Sequence, residues 1–391
     1  MAAALAKLDE APILAAANYG VLPLDVLSDV LLRLPADELC RLRLVCRSWR
    51  SLTSDPLFAK AHSSRHPHVV ALHCDSGDVH VVDLSGNVLK RIHLEHPGDD
   101  LTTQLDLLYV VSFRSGQDHA LNVVTGMVEH TTQRSSSTHT TVLGHVPSTG
   151  EYKVLRIQWG QRSEVITLGS GNNGGWRQRP RAPTIIAVSS RYMAQVGGVA
   201  YFMFDQPLVP ADIEPDDIAS FDLVTEEWRP TLIQGPLRQL TKYPIGVIYL
   251  CLAKLNDCLV TVHYNYQDVS GDLWFLEDID KSLWIKRYSV RCEGGPLRDN
   301  QFHHPLLVLE DGRVIFFVDQ YLRSYDPRTR TWAALTMMRG YHSVRMHHGS
   351  LLCSGKRGEG GAAVDVTRRH KGLKRTVGWE SPQKKGKRRR S

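Results

Sequence analysis

Apolar residues between positions 22 and 58 recur at the spacing of an α-helix. In the first run, leucine occupies positions i, i+3, i+7 and i+10, in Leu24, Leu27, Leu31 and Leu34. Pro23 suits the first position of a helix because its missing N–H would be unpaired there, and Pro35 ends the run. The pattern predicts a first short helix with one apolar face.

A second apolar run follows, with Leu39, Leu42 and Val45 at i, i+3 and i+6. Trp49 extends the apolar face through a third short helix, and the Asp-Pro pair at 55 and 56 marks its exit. About 37 residues of this kind cannot form a sizeable core alone. The sequence therefore predicts a three-helix module that needs a partner surface.

The order of these residues resembles the F-box. That family opens with Leu-Pro, continues through an apolar helix and a Leu-rich second helix, and then carries Val-Cys, a basic residue and Trp. This chain has Leu22-Pro23 at the start and Val45-Cys46-Arg47 at the end of that order. We place the F-box at residues 20–62 and expect a disordered leader at residues 1–19.

The resemblance implies docking onto a Skp-type adaptor and, through the adaptor, onto the cullin of a ubiquitin ligase. Ten residues are implied to contribute to this docking or to the packing of the module: Leu22, Pro23, Val26, Leu27, Val30, Leu31, Leu34, Leu39, Val45 and Trp49. The family pattern does not separate the two roles. From the residues alone, an ordinary fragment of a helical core is the alternative.

After His68 the chain changes to short runs rich in β-branched and aromatic residues, such as VVALHC, VHVVDL, VAYFMF and RVIFFV. Each run is bounded by Gly, Pro, Asp or Asn, which is typical of strands and turns. Helical periodicity is almost absent between the runs. The sequence therefore predicts a mainly β domain over residues 67–354.

A phrase of strand, turn and Trp recurs in this domain, at intervals of 52, 56 and 48 residues, ending at Trp176, Trp228, Trp284 and Trp332. Two earlier phrases, VHVVDLSGN and LNVVTGM, look like the same unit without its Trp. A period near 50 suits a propeller blade of four strands, which buries its sheet faces only against its neighbours. We predict a β-propeller of about six blades, with the tryptophans in its core, closed by a strand within residues 341–352.

The same phrases resemble the F-box-associated propeller domain of plant F-box proteins, in GHVPSTGEYKV at 144–154, FDLVTEEW at 221–228 and YDP at 325–327. Kelch repeats are the alternative, but the double glycines at 174, 197 and 294 do not fall at one repeat position. The resemblance implies a non-catalytic substrate receptor, in which the propeller binds a protein destined for ubiquitination.

The net charge of +6 comes from a tail. Residues 368–391 hold 11 Lys or Arg and one acid, Glu380, whereas the remaining chain holds 36 basic and 40 acidic residues. We expect residues 355–391 to be disordered. Eight basic residues resemble a bipartite nuclear-localisation signal that an import receptor would bind: Lys374, Arg375, Lys384, Lys385, Lys387, Arg388, Arg389 and Arg390.

The basic tail also leaves a second function open, that of a nuclear propeller protein associated with nucleic acid. The mildly acidic remainder of the chain argues against that alternative. For the tail itself we favour nuclear import, with non-specific attraction to polyanions as the alternative. Import through the tail predicts a nuclear location, alongside or in place of the cytoplasm.

Other chemistry has little support in the sequence. Phosphate-binding loops of the G-x-x-x-x-G-K-[ST] kind and G-x-S-x-G elbows are absent, so we predict no enzyme, cofactor or metal site. The mean hydropathy is −0.24, and no apolar run reaches the roughly 20 residues of a membrane helix. Seven scattered cysteines suit buried free thiols. The acidic segment at 204–218 favours a solvated loop, with a basic partner as the alternative.

Deletion of residues 368–391 tests whether the basic tail directs the protein to the nucleus. Nuclear accumulation of a fluorescent fusion should fall, because the cation run is lost, while binding to the adaptor should be unchanged. Microscopy and adaptor pull-down measure the two effects. If the deletion also abolished adaptor binding, the tail would not serve nuclear import alone, and this prediction would be contradicted.

Overall fold

The computed structural model describes residues 23–130, 139–158, 161–169, 175–187, 189–205, 213–239, 248–265, 269–291 and 304–352. Its helices are α1 (Leu24–Leu31), α2 (Ala36–Leu42), α3 (Arg47–Thr53) and α4 (Pro56–Arg65). Two 3₁₀ turns lie at Ser190–Tyr192 and Pro236–Gln239. The N-terminal module therefore has a fourth helix beyond the three that the sequence predicts.

The fourth helix begins where the sequence predicts an exit. The Asp55 side chain accepts hydrogen bonds from the backbone N–H groups of Leu57 (2.7 Å) and Phe58 (3.3 Å). Pro56 occupies the first helical position. Asp-Pro is thus the N-cap and first residue of a helix, which the turn interpretation of the same dipeptide missed.

Within the described residues, 24 strands form six antiparallel sheets of four. Blade 1 holds β1 (His68–His73), β2 (Val79–Asp83), β3 (Val88–Ile92) and β24 (Tyr341–His347). Blade 2 holds β4 (Asp100–Gln104), β5 (Leu107–Val111), β6 (His119–Asn122) and β7 (Val128–His130). Blade 3 holds β8 (His139–Val146), β9 (Glu151–Gln158), β10 (Ser163–Leu168) and β11 (Arg177–Arg179).

The other three blades follow in the same order along the chain. Blade 4 holds β12 (Met193–Val196), β13 (Val199–Met203), β14 (Ile218–Asp222) and β15 (Glu227–Trp228). Blade 5 holds β16 (Ile248–Leu255), β17 (Cys258–Asn265), β18 (Ser270–Asp278) and β19 (Leu283–Arg291). Blade 6 holds β20 (His304–Val308), β21 (Val314–Val318), β22 (Tyr321–Asp326) and β23 (Thr331–Met337). The prediction of a six-bladed propeller is confirmed.

The ring is closed by the last strand. β24 pairs antiparallel with β1 and becomes the inner strand of blade 1, with His68 opposite His347 and Val69 opposite Met346. The predicted closing strand is therefore confirmed. Blade 1 takes three strands from the start of the domain and one from its end, so neither end of the ring can fray without breaking a sheet.

Apolar side chains between neighbouring blades make up the core. β1 shows the principle, because Val69 and Ala71 pack toward blade 6 while Val70 and Leu72 pack toward blade 2. Successive side chains of a strand point to opposite faces, and both faces of this strand are buried. One apolar cluster of this kind lies between every two adjacent blades.

The repeated tryptophans contact residues between neighbouring blades, as predicted. Three of them donate the indole N–H to a backbone carbonyl of the preceding blade or its exit: Trp228 to Pro180 (3.1 Å), Trp284 to Gln234 (2.8 Å) and Trp332 to Arg291 (2.7 Å). Trp176 instead has the Arg156 guanidinium 3.8 Å from its ring centroid. These rings pack against the inter-blade clusters.

The turn after the third strand of a blade repeats more widely than the tryptophan. In five blades the last residue of that strand is Asp or Asn, and its side chain accepts the backbone N–H two residues later at 2.8–3.0 Å: Asp83, Asn122, Asp222, Asp278 and Asp326. This bond closes the hairpin to the outer strand. It explains why the two units without Trp are nevertheless blades.

The segment 144–154 joins blade 3 to blade 4. A Cβ atom at Gly144 would lie 2.1 Å from Cδ1 of Leu223, so only glycine leaves room for this side chain. Lys153 donates to the Leu223 carbonyl (2.9 Å) and pairs with Glu226 (2.9 Å). The motif therefore serves contact between blades.

Glu226 is the acid that pairs with the cations at this joint. Besides Lys153, its carboxylate contacts the guanidinium groups of Arg177 (2.6 Å) and Arg179. Burial alone would raise the pKa of Glu226, but the three cations outweigh it and lower the pKa to about 2. The carboxylate is therefore fully ionised at neutral pH.

Two expectations about polar side chains hold only in part, and residues 206–212 of the acidic segment lie outside the described residues. Cys46 and Cys74 are exposed, although Cys251 is buried, and these three thiols are free. In the acidic segment, Asp216 and Asp217 are buried and accept hydrogen bonds from backbone N–H groups of the following turn. These two carboxylates hold a turn in place and are neither solvated nor available to a basic partner.

Substitution Gly144→Ala should lower the free energy of unfolding by about 1–3 kcal/mol, because the new methyl group overlaps Leu223. Gly175→Ala is the control, since a Cβ there meets no atom within 4 Å. Urea titration of both variants measures the difference. Equal stabilities would contradict the close packing of blades 3 and 4.

Substitution Glu226→Gln should cost roughly 3 kcal/mol of stability at pH 7, because three partly buried cations lose their carboxylate. The folded-state pKa of about 2 lies below the ordinary 4.5, so this stabilisation is complete above pH 4.5 and is lost as the pH falls toward 2. Unfolding midpoints of wild type and variant should therefore converge on acidification. If the difference between the two unfolding midpoints widened below pH 4.5, the lowered pKa would not belong to Glu226.

Candidate docking site on the helical module

The helical module has a small core of its own. Leu31, Leu32, Leu39 and Phe58 are buried together, and the fifth buried member is Leu352, which follows β24. The end of the propeller segment therefore completes the core of the N-terminal module. A residue from the far end of the chain therefore contributes to the core of the helical module.

A buried polar contact ties the second helix to the third. The Arg43 guanidinium donates to the Thr53 hydroxyl (3.1 Å) and to the Thr53 carbonyl (2.5 Å), and the hydroxyl donates to the carbonyl of Trp49 (2.8 Å). The cation thereby satisfies a carbonyl at the C-terminal end of α3, where intrahelical partners are lacking. The apolar repeat gave no sign of this contact.

Histidines of α4 and of the segment after it bind the end of α1. His62 Nε2 lies 2.8 Å from the carbonyl oxygen of Leu34, and His66 Nε2 lies 2.9 Å from that of Leu32. The two rings stack at 4.4 Å between centroids. Burial lowers the pKa of His62, so the ring is neutral at pH 7 and donates one hydrogen bond.

A further pair of histidines joins the module to the ring. His68 Nε2 lies 2.7 Å from His347 Nδ1, and His68 Nδ1 lies 3.1 Å from the carbonyl of His66. Burial lowers the pKa of both rings, so each carries a single N–H. His68 must therefore donate through Nδ1 and accept from Nδ1 of His347, which fixes both tautomers.

The module nevertheless leaves large apolar side chains in solvent. The exposed fractions are 64% for Leu24, 42% for Val26 and 46% for Val30 in α1, and 79% for Leu44 and 63% for Val45 in the turn before α3. Single exposed apolar residues are common, but five within 22 positions are a concentration that a partner surface would cover. We call these five residues the exposed apolar set.

The structure divides the ten residues that the sequence singled out. Pro23, Val26, Val30 and Val45 are exposed, while Leu27, Leu34 and Trp49 are half-buried. Leu31 and Leu39 are 1% and 0% exposed, so they pack the module and present no surface to a partner. Leu22 lies outside the described residues, and so do the eight basic residues of the tail from Lys374 to Arg390.

Sequence reasoning missed two members of the exposed apolar set. Leu24 belongs to the leucine repeat and was assigned to the apolar face without a docking role, and Leu44 falls outside the repeat. Periodicity could not identify them, because it marks apolar positions without showing which ones the fold covers. A third exposed leucine, Leu57, lies on the helix that was not predicted.

Neither a membrane-spanning helix nor a metal-ligand cluster is seen in the part of the chain that the structure describes. No helix there is long and apolar enough to cross a membrane. In the same ranges, His, Cys, Asp and Glu side chains nowhere gather in a group of three that could hold a metal ion.

Residues 19–63 match the F-box-like family, and residues 79–343 match the family described as F-box associated beta propeller domain. F-box protein At3g07870 of Arabidopsis thaliana is 27% identical over 84% of this chain and 91% of its own length. F-box/kelch-repeat protein At3g23880 of the same plant is 25% identical over 69% of this chain and 79% of its own.

Among solved structures, an oligogalacturonate lyase in complex with manganese aligns with 66% of this chain and 70% of its own, at 12% identity and a TM-score of 0.38. A likeness of that size carries no argument about this chain. The propeller match covers well over half of the 391 residues, and the helical match covers the module that bears the exposed apolar set. The chain belongs to the F-box proteins that carry an F-box-associated β-propeller domain.

Proposed function

We propose that this protein is the substrate-recognition subunit of a Skp–cullin–F-box ubiquitin ligase. The exposed apolar set is the observation that carries the proposal, because these side chains stay in solvent while propeller and helices are both folded. A Skp-type adaptor would cover them, and a cullin would bind through the adaptor. The chain itself would supply no catalytic group.

Full burial of a leucine or valine is worth about 1.5–3 kcal/mol, so the five together would contribute at most about 7.5–15 kcal/mol against an association cost of roughly 4–15 kcal/mol. A stable contact therefore needs all five. Leu24 and Leu44 have the most surface to lose, at 64% and 79% exposure. We assign Leu24 and Leu44 the largest share of the binding free energy. Leu31 and Leu39, which are buried, are assigned to packing of the module.

The module lies at the end of the ring where the inner strands finish. β1 starts opposite the last residue of β24, and Leu352 just beyond β24 enters the core of the module. Inner strands of a meandering propeller all run in one direction. Their starting ends therefore lie on the opposite face, away from the module.

We propose that this opposite face binds the target protein. Two exposed apolar side chains lie in its described loops, Phe113 between β5 and β6 (45%) and Ile185 between β11 and β12 (38%). Binding there would hold a target lysine beyond the ring, within reach of a ubiquitin-conjugating enzyme on the cullin. Holding the target lysine near the enzyme would raise the rate of ubiquitin transfer, because the two reactants are already positioned.

The triple variant Leu24→Ala, Val30→Ala, Leu44→Ala should weaken binding to a purified Skp-type adaptor by roughly 100-fold or more, because three large contacts are truncated. Its unfolding midpoint should stay close to wild type, since all three side chains are exposed. Isothermal titration measures the affinity, and co-purification of the cullin reports the assembly.

A control with the same residue types removes two leucines and one valine from the propeller, all of them also exposed: Leu89→Ala, Leu283→Ala and Val224→Ala, at 49%, 45% and 50%. This control should bind the adaptor like wild type. The proposal fails if the intact chain does not bind the adaptor, or if both triple variants lose the same affinity.

A further inference from the structure

A carboxyl group and an imidazole are buried side by side between blades 4 and 5. Asp216 lies in the turn before β14 and is 0% exposed, and His263 lies in β17 and is 3% exposed. Oδ2 of Asp216 is 3.8 Å from Nε2 of His263, which is too long for a direct hydrogen bond. Neither the adaptor contact nor the proposed target contact involves these two buried groups.

In the described part of the chain, the carboxyl group of Asp216 has no arginine or lysine beside it, and His263 is the one basic side chain within 4 Å. Oδ2 accepts the backbone N–H of Leu237 (2.7 Å), whereas Oδ1 is buried without a hydrogen-bond partner. A Cβ atom at Gly235 would overlap this carboxyl group, so the chain packs directly against it. An ionised carboxylate here would lack both water and a permanent counter-charge.

Two further acids belong to the same turn. Asp217 pairs with Arg238 (3.0 Å), so this guanidinium is already engaged by the neighbouring carboxylate. Glu214 is exposed. Both acids repel a negative charge on Asp216. The turn therefore disfavours the ionised form of Asp216.

The charges beside His263 come from β18 and β19. Asp272 lies opposite His263 in the sheet, where it pairs with Lys286 (3.2 Å) and accepts the Ser289 hydroxyl (2.7 Å). The Lys286 ammonium lies 5.5 Å from the ring centroid of Trp274 on the same strand as Asp272. Because Asp272 is balanced by Lys286, this pair brings no net charge that would favour an imidazolium. Both ring nitrogens of His263 are buried without a hydrogen-bond partner in the described structure.

Burial disfavours the charged form of each member. It raises the pKa of Asp216 to about 7, where the charges of Asp217 and Glu214 add to the effect and the hydrogen bond from Leu237 opposes it. Burial also lowers the pKa of His263 to about 3. Between these two values the folded pair holds one proton, and the proton lies on Asp216.

The unfolded chain also holds one proton on this pair, but on the other member. The ordinary pKa is 3.8 for aspartate and 6.5 for histidine, so between these values an unfolded Asp216 is ionised and an unfolded His263 is charged. Folding takes one proton up at the carboxyl group and releases one from the imidazole. The pair is therefore buried without net proton exchange, whereas either member alone would make stability depend on pH.

We propose that Asp216 and His263 form a proton-balanced pair, in which the folded protein keeps a single proton on Asp216 beside a neutral His263. Each residue compensates for the other, so this pair leaves the stability of the ring nearly independent of pH in weakly acidic solution. The inference concerns the propeller alone and does not rest on binding of an adaptor or a target.

Urea titrations of the full chain between about pH 4.5 and 6 test the pair, with the double variant Asp216→Asn, His263→Gln as the reference. Asp216→Asn alone leaves a histidine that is neutral when folded and charged when unfolded. Its folded-to-unfolded ratio should therefore rise by roughly five- to tenfold per pH unit relative to the reference. His263→Gln alone leaves an acid that is protonated only when folded, so its ratio should fall by a similar factor. Wild type should follow the reference.

Asp217→Asn is the matched control, because it removes the adjacent buried carboxylate, which pairs with Arg238 and not with a histidine. Its ratio should change with pH as that of wild type does. If the single variants do not fold, ¹⁵N NMR of histidine-labelled wild type supplies the readout, since His263 should stay neutral at about pH 5, where an exposed histidine is charged. The proposal is overturned if His263 is charged at that pH, or if the two single variants do not change with pH in opposite directions.

Discussion

The pairing of β24 with β1 is the interaction on which the rest of the structure depends. Each blade is apolar on both faces, so it is stable only between two neighbours, and the first and sixth blades become neighbours only through this closure. The same register sets His347 against His68 and carries Leu352 into the helical module. Closing the ring thus completes two cores at once.

This coupling would let one chain hold an adaptor and a target in a fixed geometry, as the proposed function requires. The module is held by contacts from the end of the propeller segment and by histidines that bind the end of α1. Burial lowers the pKa of His62 and of His68, so both of these rings are uncharged at neutral pH. Under the proposed function, such a connection would help to position the target beside the ubiquitin-conjugating enzyme.

Much of the fold could be predicted from the sequence, because the blade is a local unit. A third strand ending in Asp or Asn, followed by a hairpin and often by Trp, recurs within about 50 residues, and each element lies close to its partner along the chain. The fourth helix was missed because Asp55-Pro56 is equally suited to a turn and to a helix start. The buried carboxylates of Asp216 and Asp217 were missed because acidity alone predicts solvent exposure.

The candidate site was harder to predict for a physical reason. In the helical module, buried and exposed positions are both apolar, and the leucine repeat reports only that character. Leu24 is 64% exposed and Leu31 only 1%, yet both belong to the repeat. Leu31 is buried in a cluster whose members include Leu352, more than 300 residues away, and no local period contains such a cluster. Tertiary packing therefore decides which of these leucines are covered.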